Sequence, residues 1–214
     1  MKEFFILLIA YLLGSIPFAF IFSKLKGKNI LEVGWRKSSA SNVFYEVGFL
    51  SAFFAALGDI GKGALAVFLA KYLNLSPFFQ ALTGVFAILG HNWSIFLKFA
   101  GGRGIATFLG ALLVFSPRIL FLSLIPFLLL ALIFHSGVGT IFFIFTSFLL
   151  FFIDKNPLWI FPLLSSVLIF LKRLSPVKEL SWEKKEIIFN RLIFDADSPL
   201  EGKFPNLLKK LIKF

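Results

Sequence analysis

Apolar residues in this chain arrive in long unbroken runs, not in alternation with polar ones. "FFILLIAYLLGSIPFAFIF" near the start and "ILFLSLIPFLLLALIF" in the middle are examples. Lipid offers no hydrogen bonds to a backbone, so a spanning chain must form helices or a closed barrel. Barrel strands alternate over ~10 residues; continuous runs specify helices. Seven apolar segments are expected, at about 4–22, 48–73, 78–97, 104–116, 118–134, 137–153 and 157–171. A helical crossing takes ~20 apolar residues, and the fourth, fifth and sixth segments fall short of that. The pattern predicts an all-α, polytopic membrane protein with about seven transmembrane helices. A transmembrane unit, 1–171, precedes a basic amphipathic tail, 172–214. The first run carries Gly14-Ser15-Ile16-Pro17 in place of a small-residue cleavage site, so it reads as a retained span.

Charge orients the segments. The net charge is +11. With seven crossings and the N-terminus outside, the inner side receives Lys24, Lys26, Lys28, Arg36, Lys37, Lys98, Arg103 and every basic residue from Lys172 onward. The outer side receives Lys2, Lys71, Arg118 and Lys155. Cytoplasmic loops carry the Lys/Arg excess, which predicts an outside N-terminus and a cytoplasmic C-terminus. Because the charge follows membrane sidedness, nucleic acid is not the expected partner. In the tail, "WEKKEIIFNRLIF" and "FPNLLKKLIKF" mix cations with apolar residues. Segments of that kind lie in the interface and are drawn to anionic membrane lipids.

With no Cys and only His91 and His135, thiolate chemistry and histidine metal clusters are excluded. No metal or cofactor is expected. Two places on the predicted cytoplasmic side are rich enough for chemistry. The first loop, "KLKGKNILEVGWRKSSASNVFYEV", sets Ser38, Ser39, Ser41 and Asn42 beside Arg36 and Lys37, a set suited to an anion with several oxygens. The second is "KFAGGRGIATFLG". There Gly101, Gly102 and Gly104 allow close approach of backbone to a ligand. The following helix would present unpaired N–H groups and a positive dipole end, an anion site. Arg103 adds forked donors, and Thr107 a hydroxyl one turn on. A tight turn whose arginine anchors to headgroups is the alternative reading of these residues.

Asp59 and Lys62 sit inside an apolar run, three apart and thus on one helical face. Charges at that depth face a bundle interior or a wet cavity, as a substrate-binding pair or as a structural ion pair. His91, in "LGHNWSIF", is a packing residue or a base. Neither histidine has an acid five positions on, and no G-x-S-x-G elbow occurs. An enzyme built this way needs a substrate that arrives already activated.

These stretches together resemble the PlsY family of acyl-phosphate:glycerol-3-phosphate acyltransferases. The resemblance runs over about residues 10–110 and continues mainly as hydropathy. It is carried by "YLLGSIPFAFIFSKLKG", by "SASNVFYEVG" after an "EVG", by "GDIGKGALAVFLA" and by "GHNWSIFLKFAGGRGIAT". The family pattern in the last is a G-H followed by G-G-K-G-x-A-T, onto which Gly101, Gly102, Arg103, Gly104 and Thr107 fall. Ser41 and Asn42 fall on an A-T-N. Arg103 stands where the family has lysine, and Ala100 where another lysine is usual. Trp35, Lys37 and Tyr45 replace a Ser, an Asn and an Arg of the first loop. The C-terminal R-H-R-x-N-I motif is missing, and "FNRLIFD", with Asn190 and Arg191, is its nearest counterpart.

The resemblance implies a seven-span enzyme of the bacterial cytoplasmic membrane. It would transfer a fatty acyl group from acyl phosphate to the sn-1 hydroxyl of glycerol 3-phosphate, giving lysophosphatidic acid for phospholipid synthesis. Arg103, Asn42 and His91 are then the expected catalytic residues. Gly101, Gly102, Gly104, Thr107, Arg36, Lys37, Ser38, Ser39, Ser41, Asp59, Lys62, Asn190 and Arg191 are the expected substrate contacts. The rival expectations are a lipid-binding relative without catalysis and a small organic-anion transporter.

Overall fold

The computed structural model describes residues 1–175 and 185–196, and these are helical and irregular, with no strand among them. Each apolar segment became helix, with changes at the borders. The first run is two helices, α1 (Lys2–Ser15) and α2 (Phe18–Lys24), broken at Ile16-Pro17. Pro17 lacks an N–H and clashes with the preceding turn, so the helix restarts after it. A short helix that the hydropathy pattern does not announce, α3 (Ala40–Glu46), lies in the first loop, where the Ser39 hydroxyl caps it by accepting from Asn42 N–H at 3.3 Å.

The longer elements follow as α4 (Phe49–Tyr72), α5 (Pro77–Asn92), α6 (Ile105–Phe115), α7 (Pro117–Ile133), α8 (Ser136–Ile153) and α9 (Ile160–Arg173). The expected third segment ran on to 97, but α5 stops at Asn92. Its successor is a single 3₁₀ turn, Ile95–Leu97, ended by Lys98 and Phe99 in the left-handed region. Among the described residues, three stretches are long and apolar enough to cross a membrane: Lys2–Lys24, Phe49–Tyr72 and Ser136–Ile153. With 11 residues, α6 rises about 16 Å, roughly half of a ~30 Å hydrocarbon core.

The main helix pairings are α1 with α5, α4 with α6 and α7 with α8. Small residues allow them. A methyl group at Gly110 would run into the Ile60 carbonyl, and one at Gly63 into the Thr107 carbonyl, so α4 and α6 meet backbone to backbone. Helices in lipid gain little from burying apolar surface against each other and depend on such close packing. Aromatic side chains fill the wider gap between α5, α6, α8 and α9, where Phe108 stacks on Phe161 at 4.8 Å and meets Phe143 edge-on at 5.3 Å. Many large apolar side chains, such as Phe121, Leu132, Phe145 and Phe152, stay on the outside. That is the surface of a helical bundle whose solvent is lipid.

The described part of the tail returns to the bundle. Helix α10 (Lys185–Phe194) packs on α8 and α9. The expected interfacial segment "FPNLLKKLIKF" and Trp182 lie outside the described residues.

Candidate active site

The break in the first span creates the acceptors around which the polar cluster forms. Stopping α1 at Ser15 leaves carbonyls without helical partners. Ser94 Oγ donates to Ser15 O at 2.6 Å, and the Lys62 ammonium donates to Ile16 O at 2.9 Å. Lys62 also meets Asp59 Oδ1 at 2.8 Å, and the same carboxylate oxygen faces His91 Nδ1 at 3.4 Å. All three side chains are buried, between 2 and 7% exposed. Asp59 thus joins α4 to α5 while Lys62 joins α4 to α1. A cluster of buried charges in an apolar bundle is tolerable only when its members satisfy one another.

The glycine turn rests on this cluster. Gly102 N–H donates to the His91 carbonyl at 3.2 Å, and Ser38 N–H reaches Gly101 O at 3.4 Å. A side chain at Gly102 would overlap the His91 Nε2 and the Ser38 carbonyl. Gly104 has φ +80° and caps α6, a left-handed conformation that a residue with a Cβ adopts only under strain. Thr107 is buried in the α4–α6 contact, and its Oγ1 has no hydrogen-bond partner among the described residues. Gly101 of the turn, Ser38, the Ser15–Pro17 break and the Asp59–Lys62–His91 cluster line one narrow cleft.

Two cations, close in sequence to residues of that lining, meet at Asp195. Arg103 Nε lies 2.6 Å from Asp195 Oδ1, just past the end of α10, and Arg103 Nη1 donates to the Lys172 carbonyl. Lys37 approaches the same carboxylate oxygen at 3.4 Å and donates to the Asp195 carbonyl at 3.2 Å. The first loop and the glycine turn therefore place one cation each on a single anionic group. Arg36, at φ +52°, is exposed on the loop beside them.

The other expected residues divide. Asn42 is buried and spends its amide inside its own loop. Its Oδ1 accepts from Trp35 N–H at 3.1 Å, and its Nδ2 faces the carbonyls of Ile30, Val33 and Lys37 at 3.1–3.3 Å. It shapes the loop that delivers Lys37 and Ser38. Ser39 is occupied as a helix cap and lies 3.3 Å from the exposed Ser41 hydroxyl. Asn190 and Arg191 lie on α10, where Arg191 faces the Leu174 carbonyl at 3.4 Å. Asp195, Lys172 and Arg173 were not legible as site residues. Arg173, 2% exposed, donates to Gly137 O at 3.0 Å and Leu192 O at 2.5 Å and so holds α10 against the start of α8. Among the described residues, no three His, Asp or Glu side chains gather as a metal site.

An all-helical bundle with lipid-facing apolar walls, a charged cluster between its helices and an arginine-bearing glycine turn above it defines a membrane protein built to handle an anionic ligand. The glycerol-3-phosphate acyltransferase family model matches residues 4–182, and the chain belongs to that family. A glycerol-3-phosphate acyltransferase of Prochlorococcus marinus is 35% identical over 181 residues, covering 82% of this chain and 91% of that one. One from Deinococcus radiodurans is 45% identical over 111 residues, a match spanning 52% of this chain and 56% of the relative's length. The fold is similar to the crystal structure of PlsY, an integral membrane glycerol 3-phosphate acyltransferase, in its glycerol 3-phosphate form. The TM-score is 0.75 at 27% identity, covering 83% of this chain and 91% of that one.

Proposed function

We propose that this chain is a membrane glycerol-3-phosphate acyltransferase that uses acyl phosphate as donor and acylates the sn-1 hydroxyl, yielding lysophosphatidic acid and inorganic phosphate. The observation that carries this reading is the convergence of Arg103 and Lys37, from the glycine turn and the first loop, on one anionic group. Both substrates carry phosphate, and charge-assisted bonds from a guanidinium and an ammonium suit it. The acyl chain lies between helices. Gly101, Gly102 and the first turn of α6 hold the donor phosphate with Arg103. Lys37, Arg36, Ser38 and Ser41 receive glycerol 3-phosphate, with Asn190 and Arg191 of α10 on the flank.

In the reaction, the glycerol hydroxyl oxygen forms a bond to the acyl carbonyl carbon, and the bond from that carbon to the phosphate oxygen breaks. The hydroxyl proton passes to a phosphate oxygen, so the mixed anhydride supplies its own base. Positioning two reactants can supply about 7–11 kcal/mol of a barrier, and each donor aimed at the developing oxyanion about 3–4 kcal/mol. Asp59, Lys62 and His91 act as the platform on which the turn is built, and Asn42 as the organiser of the loop.

Seven crossings with an outside N-terminus and a cytoplasmic C-terminus, in a bacterial inner membrane, fit the charges. Lys37, Arg103, Arg173 and α10 gather at one end of the bundle. At the other end Lys71 reaches the Val114 carbonyl at 2.6 Å, and Arg118 meets Asp154 at 3.5 Å. The described part of the tail, with α10, then serves as a cytoplasmic cover over the transmembrane unit. The test is phosphate release from palmitoyl phosphate by purified protein in lipid, with and without glycerol 3-phosphate. Release that needs the acceptor, yields lysophosphatidic acid and falls in Arg103→Ala supports the reading; no release by folded protein overturns it.

A further inference from the structure

We propose that Asp195 is an internal counter-anion for the phosphate site. Its carboxylate rests on Arg103 and Lys37 until a substrate phosphate displaces it, which makes the site selective for dianionic phosphate over carboxylate ligands. The inference rests on the reading of Arg103 and Lys37 as phosphate-binding residues.

Three observations carry it. First, Asp195 brings one negative charge to two cations from separate segments, with Oδ1 at 2.6 and 3.4 Å. A competing carboxylate ligand gains no more from them than Asp195 already provides. A phosphate dianion brings about twice the charge and a third acceptor oxygen. Second, the contact is reachable: the Asp195 side chain is 26% exposed and the Lys37 side chain 25%. Third, the element bearing Asp195 is attached in a way that permits release. Helix α10 has ten residues, below the ~12–15 at which an isolated helix holds in water. Its ties to the bundle include hydrogen bonds to main-chain carbonyls, from Arg173 to Leu192 and from Arg191 to Leu174, and an edge-on contact of Phe194 to His135 at 5.9 Å. Asp195 itself sits at φ +55°, in the left-handed region, where the helix stops and its carboxylate meets Arg103 and Lys37. Occupation of the site by phosphate and loosening of the end of α10 become one event.

The experiment uses the full chain in lipid nanodiscs, with inorganic phosphate, glycerol 3-phosphate and acetate as probes. Binding is measured by calorimetry, and backbone exchange of residues 185–196 by hydrogen–deuterium exchange. Asp195→Asn should bind phosphate about tenfold more tightly, a change of about 1.4 kcal/mol, and should gain affinity for acetate. In the parent chain, phosphate should raise exchange in 185–196; in Asp195→Asn, exchange should start high and change little. Weaker phosphate binding in Asp195→Asn would make the aspartate a positioning residue for Arg103 and overturn the proposal. So would exchange in the parent that phosphate leaves unmoved. Arg103→Gln run in parallel separates the two layers: phosphate affinity equal to the parent's removes the phosphate-site reading itself, whatever Asp195→Asn does.

Discussion

The Lys62 ammonium donates to the main-chain carbonyl of Ile16 at 2.9 Å, tying the middle of α4 to the proline break in the first span. The same ammonium meets Asp59 at 2.8 Å. A residue that reads in sequence as an intramembrane charge is thus a structural tie between helices, with the glycine turn built on the far side of its partner. Lys62→Met removes the cation and leaves the buried Asp59 carboxylate with His91 as its remaining neighbour, a change that destabilises by about 3–5 kcal/mol. Asp59→Asn in the same chain should recover part of the loss, because the stranded charge is gone. Thermal unfolding in detergent checks both, and a single variant as stable as the parent would show that the pair contributes nothing to the bundle.

Gly102 has no room for a side chain between His91 and the Ser38 carbonyl. Gly102→Ala must push the turn away from its platform. Displacement of a catalytic group by ~1 Å lowers rates on the order of 100-fold, so a loss of that size is expected with little change in expression or melting. Phosphate release from palmitoyl phosphate measures it.

His91 stands behind the turn, with Nδ1 toward Asp59 and Nε2 against Gly102. If the substrate phosphate takes the proton, His91→Ala should lose about tenfold through poorer positioning and keep the shape of its pH–rate profile. General bases contribute about 100- to 10,000-fold. A loss in that range from a folded variant, with one limb of the profile gone, would return His91 to the role of base.

Gly110 lies against the Ile60 carbonyl and the backbone of Ala64. Gly110→Val overpacks the α4–α6 contact, with an expected penalty of about 1–3 kcal/mol and a lower melting temperature. Gly61, which has open space where its Cβ would stand, is the control: Gly61→Ala should melt at or above the parent.

His135 lies between α7 and α8 and caps α8 by accepting from Gly137 N–H through Nδ1 at 3.0 Å. Burial pushes its pKa below the ordinary 6.5; the Asp195 carboxylate opposes that shift and Arg173 reinforces it. The folded chain therefore binds this proton less readily than the unfolded one. The stability it contributes is present above pH 6.5 and is lost as the pH falls from there through the lower, folded value. The expected signature is a melting temperature that declines below pH 6.5, together with faster exchange in 185–196. His135→Asn, which keeps a cap acceptor without a titrating proton, should flatten both. An unchanged pH dependence in that variant would place the titration elsewhere.

Much of the architecture was legible in the residues alone. Unbroken apolar runs left the backbone no choice but helix, and the glycine turn and first loop were recognisable by composition; the break at Pro17 inside the first run was not anticipated. The residues alone determined that the apolar segments are helical and which residues are chemically unusual; α3 was not announced. Tertiary structure decided what the unusual residues do. Asn42 looked like a ligand, yet four backbone groups of its own loop satisfy it, because the loop folds around it. His91 joined Asp59 because α4 and α5 pack against each other, and hydropathy does not record which helix faces meet. Asp195 reached Lys37 across 158 residues. No period or spacing encodes a contact of that kind, which exists only because α10 docks where α8 begins and α9 ends.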